Sequence, residues 1–252
     1  MINSILNHPL ISQRYFFPSR VNLPDPFWVD VDGAKLACYY HQPYPNAKTI
    51  VHFHGNGEVA GDYLSDFVPA VEQLGCNCFL AEYRGYGMST GIPALETMLN
   101  DAKRIITATG QPAEQLILFG RSVGSIYAIH AASRFPHIAG LIIESGIADP
   151  LERLLLRIAP EELGVSEAQL QTAVEQSLNH QTKLARFNGA TLVMHTRHDG
   201  LVDVTHADRL YAWAGPPKTL QIFERGNHNS ILYANYQAYF QTIQKFIAAL
   251  GN

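Results

Sequence analysis

The feature that most constrains this chain is an alternation. Short apolar runs, "TIVHFH" (49–54), "CNCFLAEY" (76–83), "LILFG" (116–120), "AGLIIES" (139–145), "ATLVMHT" (190–196) and "TLQIFE" (219–224), are separated by helical patterns. One of these patterns ends near Leu74, one crosses 94–109 and one covers 231–249. Strands alternating with helices imply βαβ crossovers and a mostly parallel sheet. Ahead of them, "FWVDVDGAKLACYYH" (27–41) carries an Asp-Gly pair between two alternating segments, the strongest short-range signal of an antiparallel hairpin. The expected fold is α/β: an eight-stranded, mostly parallel sheet with an N-terminal antiparallel hairpin, six parallel strands and helices on both faces.

One connection is too long for that scheme. Between the runs at 139–145 and 190–196 lie "PLERLLLRIAP" and "SEAQLQTAVEQSL", more chain than an ordinary connection of two to six residues requires. Residues 146–187 are therefore expected to form a small helical cap, inserted into a core made of 1–145 and 188–252.

Composition narrows the function classes. At 252 residues the chain can bury about three quarters of its unfolded surface. With 47% hydrophobic and 16% charged residues and a net charge of −4, it lacks the basic footprint of a nucleic-acid binder and the composition of a disordered chain. Three cysteines cannot form a closed disulfide set, which fits a reducing compartment. The start, "MINSILNHPLISQRYFF", does not read as a signal peptide, and nowhere do about 20 apolar residues run together. A soluble, cytoplasmic protein with no transmembrane segment is expected; its oligomeric state is not legible.

The chemistry centres on "LILFGRSVGSIYAIHAA" (116–132), which sets Ser122 between Gly120 and Gly124 where a strand pattern meets a helical one. A serine on such a turn has its Oγ lifted from the carboxyl edge of the sheet. Glycines two residues either side remove a collision, and the following helix aims its N–H groups at the same place. A serine hydroxyl is a poor nucleophile at neutral pH, so it needs a base, a carboxylate to orient that base, and donors for an oxyanion. "ERGNHNSIL" offers His228 directly after the last strand, and "HTRHDGLVD" offers Asp199 after the one before. Asp203 and Glu144 are rival carboxylates, with helix capping the alternative role for Asp203. "HFHGNGE" (52–58) supplies a glycine-bearing loop whose Asn56 N–H, with that of Val123, can form an oxyanion hole.

The order Ser, Asp, His and the segments "HFHGNG", "YRGYGMSTGIP", "GRSVG", "HDGLVD" and "GNHN" resemble those of α/β-hydrolase-fold serine hydrolases. They are similar to the branch that includes the membrane-associated acyl-protein thioesterases and their bacterial relatives. The resemblance implies Ser122 as nucleophile, Asp199 as acid, His228 as base, and Asn56 and Val123 as oxyanion donors. The cysteine-rich, lipidated amino terminus of the eukaryotic thioesterases has no counterpart, so membrane attachment is not carried over, and 146–187 matches no motif.

Other features compete with this reading or extend it. His52 with His54 and His195 with His198 lack the acidic partners of a metallohydrolase motif, so no metal or other cofactor is expected; His54 instead buttresses the oxyanion loop. "YRGYGMSTGIP" (83–93) is no phosphate cradle and is expected near the site as a wall. Glu58 either orders the oxyanion loop or is solvated. Leu151, Leu154, Leu155 and Ile158 share one helical face, which either lines an acyl pocket or packs on the body. The function expected is hydrolysis of carboxylic esters or thioesters of small to medium acyl groups through an acyl-enzyme. An amidase or peptidase with the same residues and a non-catalytic binding protein on the same fold are the alternatives.

Overall fold

A computed structural model describes residues 4–251. Eight strands, β1 (Phe27–Val31), β2 (Ala34–His41), β3 (Thr49–Phe53), β4 (Asn77–Ala81), β5 (Leu116–Arg121), β6 (Gly140–Glu144), β7 (Ala190–Thr196) and β8 (Lys218–Phe223), form one sheet. Its order is β1-β2-β4-β3-β5-β6-β7-β8. The hairpin pairs antiparallel around Asp32-Gly33 and joins the sheet through β2 against β4, also antiparallel; every remaining pairing is parallel. The expected architecture is therefore the observed one. After β3 the chain steps outward to β4 and then returns across β3 to β5. That reversal opens a crevice at the carboxyl ends of β3 and β5, the usual place for a ligand in an open α/β sheet.

The helices are α1 (Pro9–Tyr15), α2 (Phe67–Gln73), α3 (Thr97–Ala108), α4 (Gly124–Arg134), α5 (Pro150–Leu155), α6 (Glu167–Leu178), α7 (His180–Ala185), α8 (Thr205–Trp213), α9 (Ile231–Ala234) and α10 (Tyr236–Ala249). Strand periodicity sorts the central side chains into two cores. Val51, Phe53, Leu118, Leu141 and Ile143 face a core shared with α1, α3 and α4. Ile50, Ile117, Phe119 and Ile142 face one shared with α2, α9 and α10. Leu154 of α5 and Leu170, Val174 and Leu178 of α6 join the first core, so the segment between β6 and β7 is seated on the sheet's own hydrophobic layer.

Several boundaries differ from the sequence pattern. The pattern over 231–249 is two helices broken at Asn235, whose side chain donates to the carbonyls of Arg225 and Ile231 at 2.9 Å each. The helix reaching Leu74 is a short 3₁₀ turn (Ala60–Tyr63) followed by α2. The helix across 94–109 starts at Thr97 because Asn7, far away in sequence, accepts from the N–H groups of Glu96 and Thr97. A cap from so distant a residue leaves no local signal. Among the described residues, no helix is long and apolar enough to cross a membrane.

Candidate active site

Ser122 sits at the turn from β5 into α4 with φ +52°, a left-handed conformation that costs a non-glycine residue roughly 1–3 kcal/mol. The surroundings hold it there: its N–H donates to the Glu144 carbonyl at 2.9 Å, and its carbonyl accepts from Ser125 Oγ at 2.6 Å. The flanking glycines are steric necessities. A Cβ on Gly124 would lie 2.0 Å from the Phe53 carbonyl oxygen, and one on Gly120 would lie 2.6 Å from Ser125 Cα.

Three sequence-predicted side chains meet at this turn. His228, in the loop after β8, sets Nε2 3.0 Å from Ser122 Oγ and Nδ1 2.7 Å from Asp199 Oδ2. With Nδ1–H given to the carboxylate, Nε2 is left to accept from the serine hydroxyl. Asp199 has its other oxygen bound by the N–H groups of Leu201 and Val202, at 2.9 and 2.8 Å. Burial alone would raise the Asp199 pKa, but hydrogen bonds from His195 and His228 and the His228 charge outweigh it. They hold the carboxyl well below the usual range.

The rival carboxylates are engaged elsewhere. Asp203 Oδ1 accepts from the N–H and hydroxyl of Thr205 at 3.0 and 2.6 Å, at the start of α8. Glu144 accepts from Arg121 at 3.1 Å and from the Tyr239 hydroxyl. His195, whose spacing to His198 raises the question of a metal, lies against the Val202 carbonyl at 2.8 Å and Asp199 Oδ2 at 3.3 Å, supporting the carboxylate instead. His52 is packed among the rings of Tyr63, Phe67 and Phe119. Among the described residues no group of three or more His, Cys, Asp or Glu side chains is disposed to hold a metal ion.

The loop after β3 faces the serine. Its Asn56 and the Val123 of the turn both line a cavity of about 260 Å³ together with Ser122 and His228. Neither backbone N–H has a hydrogen-bond partner among the described residues. The loop is fixed from below by His54, whose ring reaches the Gly55 carbonyl at 2.7 Å and Glu82 at 2.8 Å. Both partners are acceptors, so the ring donates from both nitrogens. Burial opposes that charge, but Glu82 and the other acceptors raise the His54 pKa above its ordinary value. Glu58 accepts from Gly55 N–H at 2.6 Å and from Arg121 at 2.9 Å, so it orders the loop.

Arg121 carries no signal of its own in the sequence. It is the residue just before the serine in "GRSVG", 8% exposed, and it donates to Glu58, Glu144 and the His228 carbonyl at 2.9, 3.1 and 3.1 Å. Burial works against its charge, yet Glu144 and Glu58 keep it firmly protonated. One guanidinium thus ties together the loop after β3, the end of β6 and the His228 loop. The Asn56 side chain is structural as well. Its Oδ1 accepts from Phe17 N–H and Tyr86 OH and its amide donates to the Tyr15 carbonyl, strapping residues 15–17 over the site.

One expectation about the walls needs correcting, and one open choice is decided. Residues 83–93 do not line the cavity; the loop packs beneath it, with Tyr86 buried and Ser89 bonded to β2. None of the four residues on the leucine face reaches the cavity either: Leu154 and Ile158 are buried in the core, Leu151 packs against it, and Leu155 is exposed. The packing reading of that face is the right one. From 146–187, Ile147, Arg153 and Arg157 line the cavity.

Known proteins resemble the chain in sequence and in fold. A family model described as "Serine aminopeptidase, S33" matches residues 44–168. Alpha/beta hydrolase domain-containing protein 17B of Homo sapiens is 24% identical over 221 residues, covering 86% of this chain and 72% of the relative. Protein 17C of Mus musculus is 26% identical over 222 residues, covering 85% and 64%. Among solved structures, Est1E from Butyrivibrio proteoclasticus with bound ferulic acid superposes with a TM-score of 0.74 at 16% identity, covering 89% of this chain and 98% of its own. A monoacylglycerol lipase from Paleococcus ferrophilus gives 0.65 at 18% identity, with 86% and 99% covered. With this sheet order and these neighbours, the chain has the α/β-hydrolase fold, and in sequence it is similar to alpha/beta hydrolase domain-containing proteins 17B and 17C.

Proposed function

We propose that the chain is a serine hydrolase that cleaves carboxylic esters or thioesters of small to medium acyl groups through an acyl-enzyme. The observation that carries this reading is the continuous line Ser122 Oγ, His228 and Asp199, at 3.0 and 2.7 Å, beside two unpartnered backbone N–H groups. Ser122 Oγ attacks the acyl carbon while His228 Nε2 takes its proton. Asp199 holds the imidazole's orientation and stabilises the imidazolium. The carbonyl oxygen, now carrying charge, is bound by the N–H groups of Asn56 and Val123, aided by the positive end of α4. As the intermediate collapses, His228 returns the proton to the leaving alkoxide or thiolate. Water, deprotonated by His228, then releases the acid and restores Ser122.

In this reading 146–187 acts as a cap over the cavity, and the three cysteines, buried and unpaired, suit a reducing, cytoplasmic compartment. The description of the matching family favours a second reading, cleavage of an amino-terminal peptide bond by the same groups. An aminopeptidase must bind a cationic amino terminus, and two arginines in the cavity wall oppose that, so ester cleavage is preferred. The test is fluorophosphonate labelling with turnover on matched ester, thioester and amide substrates. Wild type is expected to label once and to favour esters or thioesters, and Ser122→Ala to lose both labelling and turnover by on the order of 10⁴ or more at unchanged thermal stability. Normal labelling of Ser122→Ala would refute the nucleophile.

A further inference from the structure

The arginines of the cavity wall have no role in the steps above. Arg153 lies on α5 and Arg157 on the turn that continues it, four residues on, so both reach the same side, away from the leucine face that packs into the core. Both line the cavity that holds Ser122 and His228. Neither guanidinium makes a hydrogen bond or ion pair with another described residue.

Of the carboxylates that flank them in sequence, Glu161 makes no ion pair with either arginine, and the other three are already taken. Asp149 is paired with Arg209 at 3.5 Å, Glu152 with His206 at 3.3 Å and Arg209 at 3.5 Å, and Glu162 with Arg14 at 2.7 Å. Glu58, on the opposite wall, is held by Arg121. The Arg157 guanidinium is oriented by the Phe17 ring, 5.0 Å below it, and Phe17 is anchored through its N–H to the Asn56 side chain at 3.0 Å. The field of both arginines reaches Tyr15 in the same wall, where it works against the burial that pushes the phenol up to about 12.

A catalytic cavity walled by two uncompensated guanidinium groups selects for a ligand that brings the missing charge. Arginine's planar fork matches carboxylate and phosphate oxygens with two parallel hydrogen bonds. We propose that Arg153 and Arg157 form an anion subsite, and that the preferred substrates are short esters or thioesters carrying a carboxylate or phosphate group away from the scissile bond. This rests on the serine-hydrolase reading and names the substrate class within it. The anion can sit on the acyl half or on the alcohol half, and the experiment separates the two.

The test measures hydrolysis of two matched pairs at low salt: monomethyl glutarate against methyl hexanoate for the acyl side, and acetoxyethyl phosphate against methoxyethyl acetate for the alcohol side. One anionic ester is expected to exceed its neutral match in kcat/KM by about tenfold or more, mainly through KM, with the advantage shrinking as salt is raised. In Arg153→Gln/Arg157→Gln that ratio should fall at least about fivefold, while the melting temperature stays put because both substitutions lie outside the core. The pair that shows the advantage identifies the half that carries the anion. If neither anionic ester is preferred, or if the preference survives the double substitution, the subsite is wrong while turnover of the neutral esters leaves the hydrolase reading intact. If no ester is cleaved and Ser122 takes no fluorophosphonate, the hydrolase reading falls and the subsite with it.

Discussion

The carboxyl edge of the sheet and the segment between β6 and β7 contribute to the same cavity in opposite ways. At the sheet edge the charged side chains around the serine are bonded to one another: Asp199 to His228 and His195, Arg121 to Glu58 and Glu144, His54 to Glu82. On the segment, Leu151 and Leu154 go inward while Arg153 and Arg157 face the cavity without partners. In the proposed hydrolase reading the difference is one of purpose. A reacting serine and its base must be held to fractions of an ångström, which only a closed network in a low-dielectric setting achieves, whereas groups that receive a substrate must be left unsatisfied until it arrives.

The sharpest way to break this contrast is at Asp199. Asp199→Asn should lower turnover by about 10³- to 10⁴-fold, because the amide favours the wrong imidazole tautomer, and Asp203→Asn should keep most activity because asparagine caps as well as aspartate. Steady-state kinetics on the two purified variants decides this; normal turnover by Asp199→Asn would move the acid elsewhere. Next comes the network itself. Arg121→Met leaves Glu58 and Glu144 without their cation, and urea denaturation should show a loss of about 3–5 kcal/mol. A loss under about 1 kcal/mol would mean that the network does not hold the edge together.

On the segment, the two ends of the leucine face should part company. Leu154→Ala, at a fully buried position, is expected to cost about 2–5 kcal/mol. Leu155→Ala, 36% exposed, should cost no more than about 0.5 kcal/mol, and neither should alter acyl-chain preference. A shift in chain-length profile for Leu155→Ala would return that residue to the pocket.

The smallest effect near neutrality concerns His180 of α7, whose ring contacts the Ile147 carbonyl at 2.8 Å. Burial, then the charge of Lys183, pushes its pKa down to about 3. An unfolded histidine titrates near 6.5, so between these values the unfolded chain binds the extra proton and stability rises with pH. The contribution is complete above about pH 6.5 and is lost as pH falls toward 3. Melting temperatures of His180→Asn should therefore depend less steeply on pH below 6 than those of wild type. His130, likewise pushed down to about 3 by burial, keeps some slope in place. Identical slopes would show that His180 does not carry the acid sensitivity.

What could be read from the chain alone is what is written locally. The apolar runs and the Asp-Gly hairpin set the strand series, because a strand's burial is encoded in its own residues. The glycines around Ser122 marked the strained turn, because the collisions they avoid are with the next turn of chain and the neighbouring strand. The position of His228 and Asp199 just past strand ends put them at one edge, since parallel strands bring their carboxyl ends together. The same ground favours Asp199 over Asp203 and Glu144, but its contact with His228 needed the tertiary structure, as did the Asn7 cap on α3, the three-way tie made by Arg121 and the turning of Arg153 and Arg157 toward the cavity. The first three depend on which side chain from a distant segment arrives within about 3 Å, and the last on which face of the helix the core covers; residues far apart in sequence carry no record of either until the core has closed around them.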